Sequence, residues 1–113
     1  MPRESLGLVQ GTVDVLILRA LTRNTLHGYA ISQWIREKSD GALAVEDAAL
    51  YQALYRLERR GWLEAEWGIS DTGRRARFYE LTPAGRKRLK SDVAELRRYV
   101  AALFARCRVS EPS

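Results

Sequence analysis

Residues 46–60 combine amide, phenol and guanidinium side chains at the spacing of a single helix. At about 100° per residue, the apolar residues of this segment share one face and leave the opposite face free. Amides and guanidiniums can hydrogen-bond the edges of DNA bases and the phosphates, and small residues permit close approach in a groove. We therefore predict a helix that packs on one side and reads DNA on the other. The predicted reading residues are Ala48, Ala49, Tyr51, Gln52, Tyr55, Arg56 and Arg59.

A second group of cations belongs to a predicted β-hairpin. The segment 62–67 alternates with the period of a strand, a polar turn spans 68–73, and the segment 76–81 returns as the partner strand. Arg74, Arg75 and Arg77 lie on the far side of this turn. From a hairpin beside a reading helix, such arginines can reach the flanking backbone or the minor groove as a wing.

Arginines on a helix surface have a simpler interpretation, which is a solvated face without any partner. Taken alone, Arg56 and Arg59 fit that interpretation better than DNA contact. The surroundings favour DNA contact instead, because a helix precedes this segment and a basic hairpin follows it. Three adjacent elements then agree on one function.

The remaining elements follow from apolar spacing and helix caps. Thr12 can cap a first helix that runs to Leu21, and a second helix begins at Gly28. Thr82 followed by Pro83 marks the start of a last helix, which can continue to about residue 108. This order predicts a mainly α (α+β) winged helix-turn-helix with a two-stranded wing and a long C-terminal dimerisation helix. We expect an N-terminal extension at 1–11, a DNA-binding domain at 12–82, the dimerisation helix at 83–108 and a frayed tail at 109–113.

The last predicted helix carries a heptad seam, in which apolar residues recur at alternating spacings of four and three. At about 1.5 Å per residue this helix would be about 39 Å long, more than so small a domain can cover. The first turns can pack within the chain, whereas we expect the part beyond Leu96 to be buried against a second subunit. The heptad pattern favours a parallel pair but does not fix the orientation. The predicted interface residues are Leu89, Val93, Leu96, Val100, Leu103 and Cys107.

Composition excludes several classes of protein. The chain has 113 residues and a net charge of +5, which fits one small domain with a polyanionic partner. The longest strongly apolar run, 15–18, is far too short to cross a membrane. A single cysteine excludes an intramolecular disulfide, and we expect a protein of the reducing cytoplasm with no membrane partner.

The rare residues do not form a catalytic or metal-binding set. One histidine and one cysteine cannot supply the four ligands of a structural zinc site. His27 has no neighbouring nucleophile or carboxylate cluster, so we expect it to cap or pack at a helix start. Cys107 occupies a seam position and is expected to be an inert thiol. We therefore expect no cofactor and no enzymatic activity.

Several short motifs occur in the same order as in a known family. They are His27-Gly28-Tyr29, Leu50-Tyr51, Leu54-Tyr55-Arg56-Leu57-Glu58-Arg59-Arg60-Gly61 and Tyr79-Glu80-Leu81-Thr82-Pro83-Ala84-Gly85-Arg86. Over roughly residues 11–89 they together resemble the PadR family of bacterial transcriptional regulators. The resemblance implies a homodimeric winged helix-turn-helix repressor whose third helix enters the major groove. It also implies that the C-terminal helix builds the dimer, in which each subunit exchanges helix contacts with the other.

The sequence departs from the family pattern on the reading helix. Ala48 and Ala49 stand where relatives often have Gly followed by Thr or Ser, and Gln52 stands where Pro is frequent. A hydroxyl for phosphate contact is thus missing at these positions. Tyr51, which matches the pattern, can supply one.

The resemblance also bears on small ligands. Relatives that bind flat aromatic compounds commonly use aromatic side chains around the dimer cavity. The last helix here offers Tyr99 and Phe104 but no tryptophan. A small aromatic effector at the dimer interface is therefore an implied partner.

A different class of function would use the same fold. A winged-helix protein-interaction module would dimerise through the same seam and present its hairpin to a protein partner. Acidic residues on the reading face would support that alternative, but Glu58 falls on the flank of the apolar side, and Glu46 and Asp47 sit at the helix start. The leading prediction is a dimer that binds double-stranded DNA at an inverted-repeat operator, with half-sites about one helical turn apart.

Overall fold

Four helices and three strands are found in the part of the chain that the computed structural model describes, residues 11–107. The predicted N-terminal extension, apart from its last residue, and the predicted tail lie outside the described residues. The predicted combination of helices, wing hairpin and long last helix is confirmed. The helices are α1 (Thr12–Ala20), α2 (Gly28–Lys38), α3 (Asp47–Arg59) and α4 (Pro83–Cys107), and the strands are β1 (Leu26–His27), β2 (Leu63–Ile69) and β3 (Arg75–Leu81).

The apolar faces of α1, α2 and α3 meet in one core. Ile17 of α1 and Ile31 of α2 are fully buried. Each aliphatic side chain of this kind stabilises the fold by about 1.5–3 kcal/mol when it leaves water. Packing of these faces, rather than helix propensity, therefore fixes where α3 lies. The buried face of α3 consists of the four residues with the predicted spacing, Leu50, Ala53, Leu54 and Leu57.

The start of α1 differs from the prediction. Thr12 is the first residue of the helix rather than its cap, so that prediction is wrong. The capping position belongs to Gly11, whose φ of 93° lies in the left-handed region that glycine adopts without a Cβ penalty. No side chain caps this helix, and its first turn relies on packing instead.

The sheet has one strand more than the sequence predicts. Its order is β1-β3-β2, with both pairs antiparallel, and the two-residue β1 places Leu26 opposite Tyr79 and His27 opposite Phe78. This short strand ties the start of α2 to the wing. The hairpin of β2 and β3 is also longer than predicted, because the strands stay paired out to Ile69. The wing therefore projects further beyond the core than the alternating pattern indicated.

An ion pair fastens the wing to α3. Both terminal nitrogens of Arg77 donate to the two carboxylate oxygens of Glu58, each at 2.9 Å. The hydrogen bonds that Arg77 donates to Glu58 are the main cause that raises the pKa of the Arg77 guanidinium. Burial raises the pKa of the neighbouring Tyr79 phenol, so this group also stays in one protonation state at neutral pH. The angle between helix and wing thus depends on a bidentate contact.

The start of α4 is joined to the end of α3 by a tight set of backbone contacts. The Thr82 hydroxyl donates to the Gly61 carbonyl at 2.7 Å and accepts from the Gly85 amide at 3.0 Å, which confirms the predicted cap. The Thr82 amide donates to the Trp62 carbonyl at 3.1 Å. A Cβ on Gly85 would lie 2.2 Å from that same carbonyl oxygen. Only glycine permits this approach.

Helix α4 divides into a packed half and a projecting half. Its N-terminal half lies against α1, where Leu89 is buried and Val93 packs on the core. Its C-terminal half leaves Leu96 and Val100 exposed. Among residues 11–107, no helix combines the length and apolar character needed to cross a membrane.

We predict that Gly85→Ala lowers the free energy of unfolding by about 3 kcal/mol, because the new methyl group collides with backbone rather than with a mobile side chain. The measurement is urea denaturation at a fixed protein concentration. Lys87→Ala, an exposed site on the same helix, is the control and should change stability by less than about 0.5 kcal/mol. Equal stability of Gly85→Ala and the parent protein would contradict the described junction.

A double-mutant cycle with Glu58→Gln and Arg77→Gln should give a coupling energy of about 1 kcal/mol. We expect this value because the pair is bidentate, although both side chains are partly exposed. The control is the Glu95 and Arg98 pair, at 3.9 Å and fully on the surface, which should couple by less than about 0.3 kcal/mol. Equal coupling in the two cycles would show that the wing does not depend on this contact.

Candidate nucleic-acid interface

Helix α3 presents a continuous polar surface opposite its buried face. Every residue predicted to read DNA on this helix is exposed, while the four apolar ones are at most 1% exposed. Because successive turns of a helix present the same face, the exposed residues form one strip along α3. The residues of this strip are Ala48, Ala49, Tyr51, Gln52, Tyr55, Arg56 and Arg59.

Two cations of this strip have different surroundings. Arg56 forms an ion pair with Asp14 of α1, so its guanidinium is held at the flank of α3. Arg59 has no carboxylate partner among residues 11–107, and its guanidinium lies 5.6 Å from the ring centre of Tyr55. It also reaches the Tyr55 hydroxyl at 3.4 Å. Arg59 is thus a positioned cation with hydrogen-bond donors still available.

Helices α2 and α3 and the wing enclose a cleft of about 940 Å³. Phenols from the two helices and guanidiniums from the wing face this space together, although they are far apart in the sequence. Such a surface offers hydroxyl and cationic donors to a polyanion from two sides. The residues that line the cleft include His27, Tyr29, Tyr51, Trp67, Arg74 and Arg75.

The position of Tyr51 depends on the start of α2. A Cβ on Gly28 would lie 2.5 Å from the Tyr51 hydroxyl oxygen, so the ring rests directly on the glycine. Tyr51 nevertheless remains half exposed. The motif at residues 27–29 therefore places a phenol of α3 at the edge of the cleft.

His27 has a structural role at the same edge. Its Nδ1 accepts a hydrogen bond from the Ala30 amide at 3.2 Å and caps α2, as predicted. Its ring meets Phe78 edge-on, with centres 5.2 Å apart. The hydrogen bond caps α2, and the ring contact holds the start of that helix against the wing.

The three arginines of the wing do not share one environment. Arg74 and Arg75 are exposed and have no carboxylate partner among the described residues. The Arg75 guanidinium lies over the Trp67 ring at 4.4 Å from its centre. Arg77, which the sequence also assigns to DNA contact, has both terminal nitrogens engaged with Glu58. It lies in the wing as predicted but faces α3.

Sequence reasoning missed the apolar and aromatic part of this surface. Tyr29 is 68% exposed, Trp67 is 60% exposed and Ile69 is 67% exposed. The alternation of β2 indicates only that Trp62 and Trp67 lie on opposite faces, one of them exposed. The polar composition of residues 68–73 predicted a turn there, whereas β2 continues to Ile69. Only the observed length of the hairpin identifies Ile69 as a residue of the strand.

The predicted dimer residues fall into two groups. Leu89 and Val93 are covered by the chain's own core, so they need no partner for burial. The apolar side chains further along α4 remain exposed, and the side chain of Cys107 lies outside the described residues. The exposed members of the stripe are Leu96, Tyr99, Val100, Leu103 and Phe104.

Within residues 11–107, no group of three or more His, Cys, Asp or Glu side chains is arranged to hold a metal ion. The ionisable residues around the cleft are instead mostly arginines and tyrosines. Proteins use these side chains to bind phosphates and bases. This composition favours the binding of an anion.

Residues 17–91 match the family described as the transcriptional regulator PadR-like family. The chain is similar to the transcriptional regulator Rv3488 of Mycobacterium tuberculosis, with 37% identity over 83 residues, which are 74% of this chain and 74% of that protein. A transcriptional regulator from Clostridium thermocellum has a similar solved structure, with a TM-score of 0.76 and 33% identity over 83% of this chain and 91% of that chain. PadR of Bacillus subtilis, solved in complex with operator DNA, shares the fold at 23% identity with a TM-score of 0.64, over 72% of this chain and 47% of that chain.

The family match spans most of the chain and includes α2, α3, the wing and the start of α4. The family and the named relatives are transcriptional regulators rather than enzymes. The chain therefore belongs to the PadR-like family of transcriptional regulators.

Proposed function

We propose that the protein is a homodimeric, cytoplasmic repressor that binds an inverted-repeat operator in double-stranded DNA. The observation that carries this proposal is the placement of Arg59, Arg74 and Arg75. All three are exposed without a carboxylate partner among residues 11–107, and they lie on the outward face of α3 and on the adjoining wing. The operator complex of PadR, a protein of the same fold, supports the assignment to DNA. Repression rather than activation rests on the family resemblance.

In this proposal α3 enters the major groove. Ala48 and Ala49 at its N-terminal end permit close approach, and the Gln52 amide can make the paired hydrogen bonds that recognise adenine. Tyr51 would donate its hydroxyl to a phosphate, because the ring is held against α2 at the edge of the cleft. In this arrangement Gln52 would contact the bases, whereas Tyr51 would contact the DNA backbone.

The C-terminal part of α3 supplies the charged contacts. Arg59, supported by the Tyr55 ring, would bind a guanine edge or a phosphate. Arg56 is tied to Asp14 and would reach only the backbone at the border of the groove. This difference makes Arg59 the stronger determinant of the two.

The wing would hold the flanking backbone through Arg74 and Arg75. We assign Arg77 a positioning role instead, because its guanidinium is already bonded twice to Glu58. Loss of Arg77 would then tilt the wing relative to α3 without removing a phosphate contact.

The dimer would form through the exposed half of α4. Leu96, Val100 and Leu103 are each more than 40% exposed, and large uncovered apolar stripes mark interaction sites. We assign residues 12–82 to DNA binding and residues 83–108 to dimerisation. The neighbouring Tyr99 and Phe104 would offer stacking surfaces to a flat aromatic effector.

The alternative of a protein-interaction module has less support. Asp71 is the one carboxylate among the residues that line the cleft, against three arginines. Such a basic surface attracts a polyanion such as DNA more strongly than a protein patch that carries fewer negative charges. Absence of binding to any DNA, with an intact dimer, would favour the alternative.

Two arginine variants separate base contact from backbone contact. Arg59→Ala should weaken specific binding about 10-fold to 100-fold, because a charged hydrogen bond to DNA is lost. Arg74→Ala with Arg75→Ala should weaken binding to all sequences and reduce the salt slope by about 4 for a dimer, since each lost phosphate contact removes about one unit. Fluorescence anisotropy at several salt concentrations measures both effects.

The control for the double variant is Arg23→Ala with Lys38→Ala. It removes the same charge from residues that line a different depression, beside Trp34. Its salt slope should change by less than half as much. Equal salt slopes for the two double variants would show that Arg74 and Arg75 of the wing do not contact DNA phosphates.

We predict that Leu96→Arg with Val100→Glu yields monomers that lose specific DNA binding, because two charges would enter the proposed interface. Sedimentation velocity measures the association state. The control is Glu95→Arg with Arg98→Glu, which introduces the same residue types by reversing an existing exposed pair. A dimeric interface variant would overturn the assignment of α4, and a monomeric control would show that charge alone causes dissociation.

A further inference from the structure

The inner face of the sheet continues beyond the core as an uncovered apolar surface. Along β2, Leu63 is buried in the core, whereas Trp67 and Ile69 on the same face are 60% and 67% exposed. Their partners in the register are Arg77 and Arg75, so this surface lies on the side of the sheet that faces the cleft. We call Trp67 and Ile69 the wing apolar pair. More than half of each side chain remains exposed, although the Arg75 guanidinium lies over one face of the Trp67 ring.

The wing apolar pair is surrounded by cations. Arg75 lies over the Trp67 ring at 4.4 Å, and Arg74 lines the same cleft. The acidic residues of the strands, Glu64, Glu66 and Glu80, alternate to the opposite face of the sheet, and Asp71 of the turn is the one carboxylate that lines the cleft. A partner of this surface must therefore be an anion that also presents apolar area beside its charge.

We propose that the wing apolar pair packs on the deoxyribose rings at the edge of the minor groove next to the half-site, and that Trp67 is a specificity-determining residue of the wing. The sugar–phosphate backbone alternates apolar rings with anionic groups, which matches an indole beside a guanidinium. Arg75 remains stacked on Trp67 and reaches the neighbouring phosphate. This proposal rests on the proposed DNA-binding function. It adds to the binding affinity an apolar contribution that does not decrease as the salt concentration increases.

Phosphate contacts and apolar contacts depend differently on the salt concentration. Phosphate contacts release counterions, so their contribution to binding decreases as the salt concentration increases. Burial of an indole and an isoleucine against sugar rings releases no ions and contributes equally at low and high salt. The two contributions of the wing can therefore be measured independently. Because the width of the minor groove depends on sequence, a contact with its walls also discriminates between flanking sequences.

The test compares Trp67→Ala, Trp67→Phe and Arg75→Ala in binding to one selected duplex over a series of salt concentrations. Trp67→Ala should weaken binding about 10-fold at every salt concentration with an unchanged salt slope. Trp67→Phe, which keeps an aromatic ring, should recover most of the affinity. Arg75→Ala should reduce the slope. Circular dichroism and sedimentation confirm that each variant is folded and has the parent's association state.

Tryptophan fluorescence gives a second readout. Binding of the duplex should change the emission of the parent protein and of Trp34→Phe, since Trp34 is half-buried and outside the cleft. The change should be absent in Trp67→Phe. An unchanged response in Trp67→Phe would place the indole away from DNA and overturn the inference.

Each remaining outcome has one meaning. A Trp67→Ala protein that binds the duplex as tightly as the parent overturns the apolar contact while the proposed function stands. A reduced salt slope in Trp67→Ala, equal to that of Arg75→Ala, shows that Trp67 only holds the arginine, and it also overturns the inference. If the parent protein binds no duplex, the proposed function itself is wrong.

Discussion

The contact between Gly85 and the Trp62 carbonyl is the constraint on which the rest of the structure depends. At this point the Thr82 hydroxyl joins the Gly61 carbonyl to the first turn of α4, and no side chain fits between the two segments. Gly61 and Trp62 lie between the end of α3 and the start of β2, so α3, the wing and α4 are all held at one place. The proposed dimer would need a fixed distance and angle between its two α3 helices, and this junction would hold α3 relative to α4 within each subunit.

A second feature of the molecule is the division of its arginines between structural and free roles. Arg56 and Arg77 are bound to carboxylates of the same chain, and they fix α3 against α1 and the wing against α3. Arg59, Arg74 and Arg75 have no such partner among the described residues. Net charge alone does not distinguish these groups. The proposed interface consists of these three cations on α3 and the wing, together with Tyr55 and Trp67, whose rings lie beside Arg59 and Arg75.

Much of the fold could be predicted because its signals are local. The two faces of α3 follow from spacing within thirteen residues, and the exposure of its side chains agrees in every case. The features that could not be predicted depend on distant partners. Strand β1 has only two residues and exists because β3 passes beside it. The pair of Arg77 and Glu58 joins residues from two elements, and the heptad seam of α4 could not show that Leu89 would be covered by the chain's own core.

The most direct test of the account is hydroxyl-radical footprinting of the parent protein on a duplex that it selects from a random-sequence pool. The account predicts two protected stretches of backbone on one side of the duplex, related by symmetry and about one helical turn apart, because each subunit of a dimer presents one α3 and one wing. Additional protection in the flanking minor groove should mark the two wings. A single protected stretch, at concentrations where the protein sediments as a dimer, would contradict the account.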